Sequence, residues 1–213
     1  VAAAAQPRGR ARARSRRGRG RGRPLVADSG SVVVMEAKTG RVVALASYPS
    51  YDPSVFVGGA SPQEYAALVD EKRGAPLVFR AIQGAYAPAS TFKVISTAAA
   101  VHSGDYPLRG RYPCPGVYGP TGQRNFDSAA LGTIDLRTAL VKSCDTVFYK
   151  FGYEQWLRDG GNRPVAEPRD PMIRMAQAFG LGQRTGIDLP SERRGTIADR
   201  EYKQQYWEDT REN

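Results

Sequence analysis

Two β-branched apolar runs, SVVVMEA (Ser31–Ala37) and RVVALAS (Arg41–Ser47), flank Lys38-Thr39-Gly40. The pattern predicts an antiparallel hairpin in which Gly40 takes the positive-φ position. The next stretch, YPSYDPSVFVGG, is rich in proline and glycine and predicts a loop. Ser61-Pro62-Gln63-Glu64 has the form of a capping box with proline at the first helical position. The helix it opens is predicted to run to about Arg73, where Gly74 stops it. A second helix is predicted from near Ser90 to near Ser103, just before Gly104. Its centre, VISTAAAV, is apolar or small on nearly all sides, as in a helix packed inside a domain.

Residues 105–132 carry many prolines and glycines and no clear period, so the pattern predicts no element there. Asp135 is placed to N-cap a helix over Leu136–Lys142. Ser143-Cys144-Asp145 interrupts it, and Thr146–Leu157 is helical again. DPMIRMAQAFGLG (Asp170–Gly182) predicts another capped helix ending in glycine. TGIDLPSERRGTIADR reads as a turn-rich lead into a strand. There is no internal repeat. A strand pair first and many helices after make the class mixed α/β, or α+β.

Charge alters this picture at one end only. Of 31 basic residues nine are arginines between Arg8 and Arg23, leaving 22 against 21 acidic ones, so the net charge of +10 describes a tail. Residues 1–27 have no hydrophobic period and are expected to be disordered, with residues 28–213 as the folded part. An arginine-rich tail can bind phosphates, but no aromatic residue interleaves these arginines for base stacking. A solvated linker or an anionic-surface contact is the simpler expectation, and a nucleic-acid partner is not expected. No run of about 18 apolar residues is present to span a membrane, and no signal peptide is visible. The two cysteines, Cys114 and Cys144, fit no metal motif and are too few for a disulfide framework. A bridge between them requires an oxidising compartment and Cα atoms that approach, which the sequence does not reveal; the expectation leans toward free thiols.

The candidate chemistry begins at Ser90 and Lys93, the single Ser-x-x-Lys of the chain. At i and i+3 on one helix the two side chains share a face. A serine hydroxyl is a weak nucleophile, and a lysine kept neutral by desolvation can remove its proton. The plain alternative is an N-cap serine beside a snorkelling lysine. About fifty residues downstream Ser143 and Asp145, one residue apart in a turn, can point the same way, and such a pair could relay protons near Ser90 and hold Lys93. Here the plain alternative is a helix break with Asp145 capping the next helix. His102 has no G-x-S-x-G elbow to serve and is expected at a helix end, where a cation is tolerated. Trp156, Tyr202 and Trp207 are expected to pack or to line a groove.

With their flanks, APASTFK and ALVKSCDTVFYKFG resemble the penicillin-binding proteins, and more closely the class B, monofunctional transpeptidases of cell elongation. The resemblance runs from about Asp28 to Asn213 and includes DSGSVVVMEAKTGRVVALASYPSYDP, RAIQGAYAPASTFK and AFGLGQRTGIDLPSERRGTI. It implies the penicillin-binding-protein/β-lactamase-like fold, an antiparallel sheet with helices and a helical subdomain. It implies that Ser90 attacks the penultimate D-alanine carbonyl of a peptidoglycan stem peptide, with Lys93 taking the proton. Ser143 would protonate the leaving D-alanine, and Asp145 stands where many relatives have Asn. Backbone amides, including that of Ser90, would hold the oxyanion. The implied partners are stem peptides, β-lactams and a membrane glycosyltransferase of the elongation machinery. The implied place is the outer face of the cell membrane, and no cofactor or metal is called for.

Several departures qualify the resemblance. The family's third motif, a Lys-Thr-Gly on an edge strand, has no candidate after Asp145, and Lys38-Thr39-Gly40 is a hairpin turn. Ala89 stands where many relatives have Gly. The chain therefore reads as roughly the first half of a transpeptidase domain, expected not to turn over substrate alone. A serine β-lactamase or β-lactam sensor would share Ser-x-x-Lys, and a scaffold without activity would not need Ser90, Lys93, Ser143 and Asp145 intact.

Overall fold

A computed structural model describes residues 29–127, 129–163 and 165–211. The expected disorder of residues 1–27 falls outside the described residues. The chain gathers into two compact units, one ending at Gly84 and the other beginning at Ala85.

In the first unit β1 (Gly30–Met35) pairs antiparallel with β2 (Val42–Tyr48), in register from Gly30 opposite Tyr48 to Val34 opposite Ala44, after which a register shift sets Met35 opposite Val42. Gly40 has φ +73°, and its N–H donates to the Glu36 carbonyl at 2.9 Å, closing the turn as expected. The loop after β2 is less plain than its composition suggests. Asp52 accepts the Ser54 N–H and starts a 3₁₀ turn over Pro53–Phe56, an Asx cap followed by a proline that pre-sets φ. The capping box opens α1 (Pro62–Val69) with both reciprocal bonds made. This helix stops short of Arg73. Asp70 turns extended and accepts the Lys72 N–H, offering the backbone a local partner that competes with the helical one. A 3₁₀ turn, Glu71–Arg73, then ends at Gly74, which has φ +75°. In α2 (Arg80–Gln83) the buried Arg80 guanidinium donates to the carbonyls of Gly74, Ala75 and Val78. The Ala81 N–H ties α2 to the Ser47 hydroxyl of β2 at 3.1 Å.

The second unit holds α3 (Lys93–His102), preceded without a break by a 3₁₀ turn at Ala89–Phe92. One face of α3 is buried through Lys93, Ile95, Ser96, Ala99 and Ala100, while Val94 on the other is about half exposed. The small alanines let α6 (Pro171–Ala178) pack against it. Between α3 and the next helix lie four short strands that the sequence pattern did not predict. β3 (Arg111–Cys114) pairs antiparallel with β6 (Gly132–Asp135), and β4 (Val117–Tyr118) with β5 (Gln123–Arg124). Along β3 the side chains alternate outward and inward, with Tyr112 and Cys114 buried. Four residues containing a proline are too short a sample for that alternation to stand out.

Asp135 caps α4 (Leu136–Val141) by accepting the Thr138 N–H at 2.7 Å, as expected. α5 (Asp145–Arg158) supplies the centre of the core, with Val147 and Phe151 fully buried. The Phe151 ring packs on Tyr106, Tyr112 and Phe148, with centroids 4.1, 5.1 and 5.9 Å away. Cys114 and Cys144 are joined by a disulfide inside this core, correcting the expectation of free thiols; their Cα atoms lie 6.3 Å apart.

Two further expectations are corrected. Asp170 precedes α6 but does not cap it with its side chain. Its backbone has φ +39° and its N–H donates to the Asp159 carboxylate at 2.7 Å, which turns its own carboxylate toward Arg200 Nε at 3.1 Å. The segment Thr185–Arg200 leads into a helix, α7 (Arg200–Thr210), and not into a strand. Asp199 caps α7 by accepting the Tyr202 N–H at 2.8 Å. No residue of α7 is buried; Tyr202 and Tyr206 stack on each other at 6.4 Å and, with Trp207, stay exposed.

A polar knot ties the end of α3 to α5. Asp105 accepts hydrogen bonds from the Ser103 hydroxyl at 2.9 Å and the Gln155 amide at 3.1 Å, and pairs with Arg158 and Arg169. Burial works against its charge, but those bonds and the two guanidiniums outweigh it and hold the carboxyl below the usual carboxylate range. A depressed folded value means that the stabilisation is complete above about pH 4 and is lost as pH falls through that value. The urea midpoint of the wild-type chain is therefore expected to drop as the pH is lowered below about 4. Asp105→Asn should flatten that drop and cost about 1–3 kcal/mol at pH 7. An unchanged pH slope in the variant would contradict this.

Candidate active site

Ala89 enters the site with φ +47°, a left-handed conformation that costs a non-glycine residue about 1 kcal/mol or more. The turn it starts leaves the Ser90 hydroxyl on the face from which Lys93 projects, one turn along. Lys93 is 7% exposed, so its long side chain is committed to the interior. The Phe148 ring of α5 lies 5.6 Å from its Nζ.

The second half of the site is the end of α4. Ser143 donates its N–H to the Leu140 carbonyl, and Cys144 to that of Ala139, at 3.1 and 2.9 Å. These are the two bonds of a Schellman ending, and they place Ser143 at the position that glycine normally fills. Its φ is +54°. A serine there carries backbone strain that the surrounding packing must hold. The next residue but one, Asp145, begins α5 in a first turn that favours negative charge.

The four residues predicted from the sequence come together. Lys93 Nζ lies 3.2 Å from Ser90 Oγ, 2.8 Å from Ser143 Oγ and 2.9 Å from the Ser143 carbonyl oxygen, and it forms an ion pair with Asp145 Oδ1. Ser143 Oγ donates to Ser90 Oγ at 3.1 Å, completing a triangle of two hydroxyls and an amine. The water-poor lysine that the sequence asked for is present, and a carboxylate stands against it. Counting donors clarifies what the cluster can do. The Ser143 carbonyl and the Asp145 carboxylate can only accept. A neutral amine meets them with its two N–H groups and keeps its lone pair for a hydroxyl. An ammonium fills the same positions and turns its third N–H toward the hydroxyls. The cluster therefore holds a proton donor or a proton acceptor beside Ser90 without rearrangement.

Three partners were not foreseen. The Phe126 N–H donates to Asp145 Oδ2 at 3.0 Å, fixing the carboxylate from the side away from Lys93. The buried Asn125 accepts the Thr146 N–H at 3.0 Å and donates to the carbonyls of Pro115 and Ala129 at 3.0 and 2.6 Å. The disulfide runs behind the Ser143–Asp145 turn. A lone Asn-Phe-Asp in a stretch without period carries no signal for any of these. A cleft of about 880 Å³ opens over the cluster, lined by Ser90, Lys93, Asn125, Phe126, Ser143 and Asp145 among others. His102 lies exposed at the end of α3, and the Ser96 hydroxyl is bonded to the Phe92 carbonyl at 3.3 Å. Among the described residues no group of three His, Cys, Asp or Glu side chains is placed to hold a metal ion.

Comparison with known proteins gives a consistent result. Residues 30–209 match the family described as the penicillin binding protein transpeptidase domain. The peptidoglycan D,D-transpeptidase MrdA of Escherichia coli is 35% identical over 184 residues, 84% of this chain and 27% of that protein. The peptidoglycan D,D-transpeptidase PbpA of Mycolicibacterium smegmatis is 37% identical over 161 residues, 71% of this chain and 30% of that protein. The chain thus spans about a quarter to a third of the length of these curated relatives. Among solved structures, PBP2 of Pseudomonas aeruginosa superposes with a TM-score of 0.67 at 30% identity, over 87% of this chain and 39% of that one. Penicillin-binding protein A of M. tuberculosis, solved as a penicillin G acyl-enzyme complex, gives 0.55 at 36% identity, over 71% of this chain and 34% of that one.

Proposed function

The chain belongs to the penicillin-binding protein transpeptidase family, and from that membership we propose that it serves as a serine D,D-transpeptidase of peptidoglycan. The observation that carries this is the mutual hydrogen-bond distance of Ser90 Oγ, Lys93 Nζ and Ser143 Oγ. Ser90 attacks the carbonyl of the penultimate D-alanine of a stem peptide as Lys93 takes its proton. The amide of Ser90 lies in the first turn of a helical segment, where N–H groups lack intrahelical partners, and serves the developing oxyanion. Ser143, in contact with both other groups, passes the proton to the departing D-alanine. An amine of a neighbouring strand then takes the acyl group, and the serine is released. Asp145 anchors the lysine through both steps.

β-Lactams enter the same reading as substrate mimics that leave Ser90 acylated. The partner is a membrane glycosyltransferase of the elongation machinery, and the place is the outer face of the cell membrane. Among the described residues no helix is long and apolar enough to cross a membrane.

The first covalent step provides the test. After incubation of the full-length protein with penicillin, peptide mass spectrometry is expected to find one penicilloyl group, on Ser90, that persists for hours. Ser90→Ala should carry none. An adduct that survives this substitution would remove Ser90 as nucleophile, and one lost within seconds would favour a β-lactamase.

A further inference from the structure

Cys144 stands between Ser143 and Asp145, so its covalent partner bears on both. Cys144 and Cys114 are each 1% exposed. The bridge is braced by polar groups that are themselves buried. The Pro115 carbonyl, next to Cys114, accepts from Asn125 Nδ2 at 3.0 Å and from the Thr146 hydroxyl at 2.8 Å. Asn125 returns to the other side by accepting the Thr146 N–H. Three segments distant in sequence, around Cys114, Asn125 and Cys144, are thus clamped into one unit behind the site. The disulfide is the covalent tie among them, across 30 residues.

Resting on the transpeptidase reading, we propose that this clamp is a redox-dependent positioning device: Cys114 and Cys144 must be bonded for Ser143 and Asp145 to engage Lys93, and acylation of Ser90 is suppressed while they are thiols. The physical reason is release. Both sulfurs are enclosed in a closely packed interior, so two separate thiols disturb their surroundings, and Cys144 adjoins both functional side chains. A misplacement of about 1 Å can cost a reaction about a hundredfold in rate. The left-handed Ser143 gives the turn a reason to relax once released. Closing the bridge removes two protons and two electrons from the two thiols. A disulfide-class oxidant takes them and leaves as two thiols. The site would then be assembled only in an oxidising compartment.

The test compares the oxidised full-length protein with the same protein reduced by a phosphine and freed of reagent, in two assays. The first is the rate of penicillin acylation at Ser90. The second is modification of Lys93 by an amine-reactive acetylating reagent, read by peptide mass spectrometry against the exposed Lys203. Reduction is expected to slow acylation by about a hundredfold and to speed Lys93 modification at least about fivefold. Oxidised glutathione should restore both, and the Cys114→Ser/Cys144→Ser variant should behave as reduced chain whatever the treatment. Equality within about twofold in either assay overturns the proposal. So does a reduced chain that loses its far-UV circular dichroism, because the bridge would then staple the whole fold and not the site. Should the oxidised chain take no penicillin at Ser90, the transpeptidase reading fails instead, and Lys93 modification alone decides the redox proposal.

Discussion

Replacing Lys93 by methionine is expected to slow penicillin acylation at Ser90 about a thousandfold, the middle of the range for a positioned general base. Methionine keeps most of the volume of the lysine stem and removes only the amine. That amine is the group that contacts both hydroxyls, so neither serine retains an amine within hydrogen-bond reach. The variant also leaves Asp145 without its cation in a largely buried setting, and loss of stability could be mistaken for loss of chemistry. The double variant Lys93→Met/Asp145→Asn separates the two. An asparagine oxygen can still accept the Phe126 N–H and carries no charge to strand. The double variant should recover the melting temperature that the single one loses and should remain as slow. A Lys93→Met chain with an intact melt that acylates within about tenfold of wild type would refute the assignment of the base.

Phe151→Ala should have the largest effect on the fold, about 3–5 kcal/mol. Its ring is fully buried and touches three other aromatic rings, so the neighbours have little freedom to collapse into the space. Domains are typically stable by only about 5–15 kcal/mol, so that loss is a large fraction of the whole. The damage should reach the site, because Phe148, which packs on Phe151, also faces the Lys93 amine. Urea denaturation measures the first effect. A variant losing under about 1 kcal/mol would mean that the core closes around the missing ring far better than its packing suggests.

The features legible in the sequence were those that local hydrogen bonding decides. The capping box at Ser61–Glu64, the Asp135 cap and the turn at Gly40 each depend on residues within a few positions, and each formed. Asp70 shows the limit of such reasoning: one carboxylate with a nearer partner cut α1 short. β3 and β6 were hidden because four residues hold too little pattern and their partners lie some twenty residues apart. α7 was hidden because periodicity reports burial, and nothing in α7 is buried.

The site divides along the same line. Ser90 with Lys93, and Ser143 with Asp145, are visible as spacings because each pair sits on one turn of chain. Their meeting across fifty residues was supplied by family resemblance and not by spacing. The Phe126 N–H has no side-chain identity to betray it, and Asn125 acts by contacts that depend on the fold already being formed.

The backbone of Ser143 has a consequence for anyone wishing to make this chain more robust. A consensus-minded engineer, seeing a left-handed residue at a helix ending, would write glycine there and expect a gain. The same edit would erase the hydroxyl that links the amine to the nucleophile. At that position durability and reactivity pull in opposite directions, and the less comfortable residue is the one that keeps the hydroxyl.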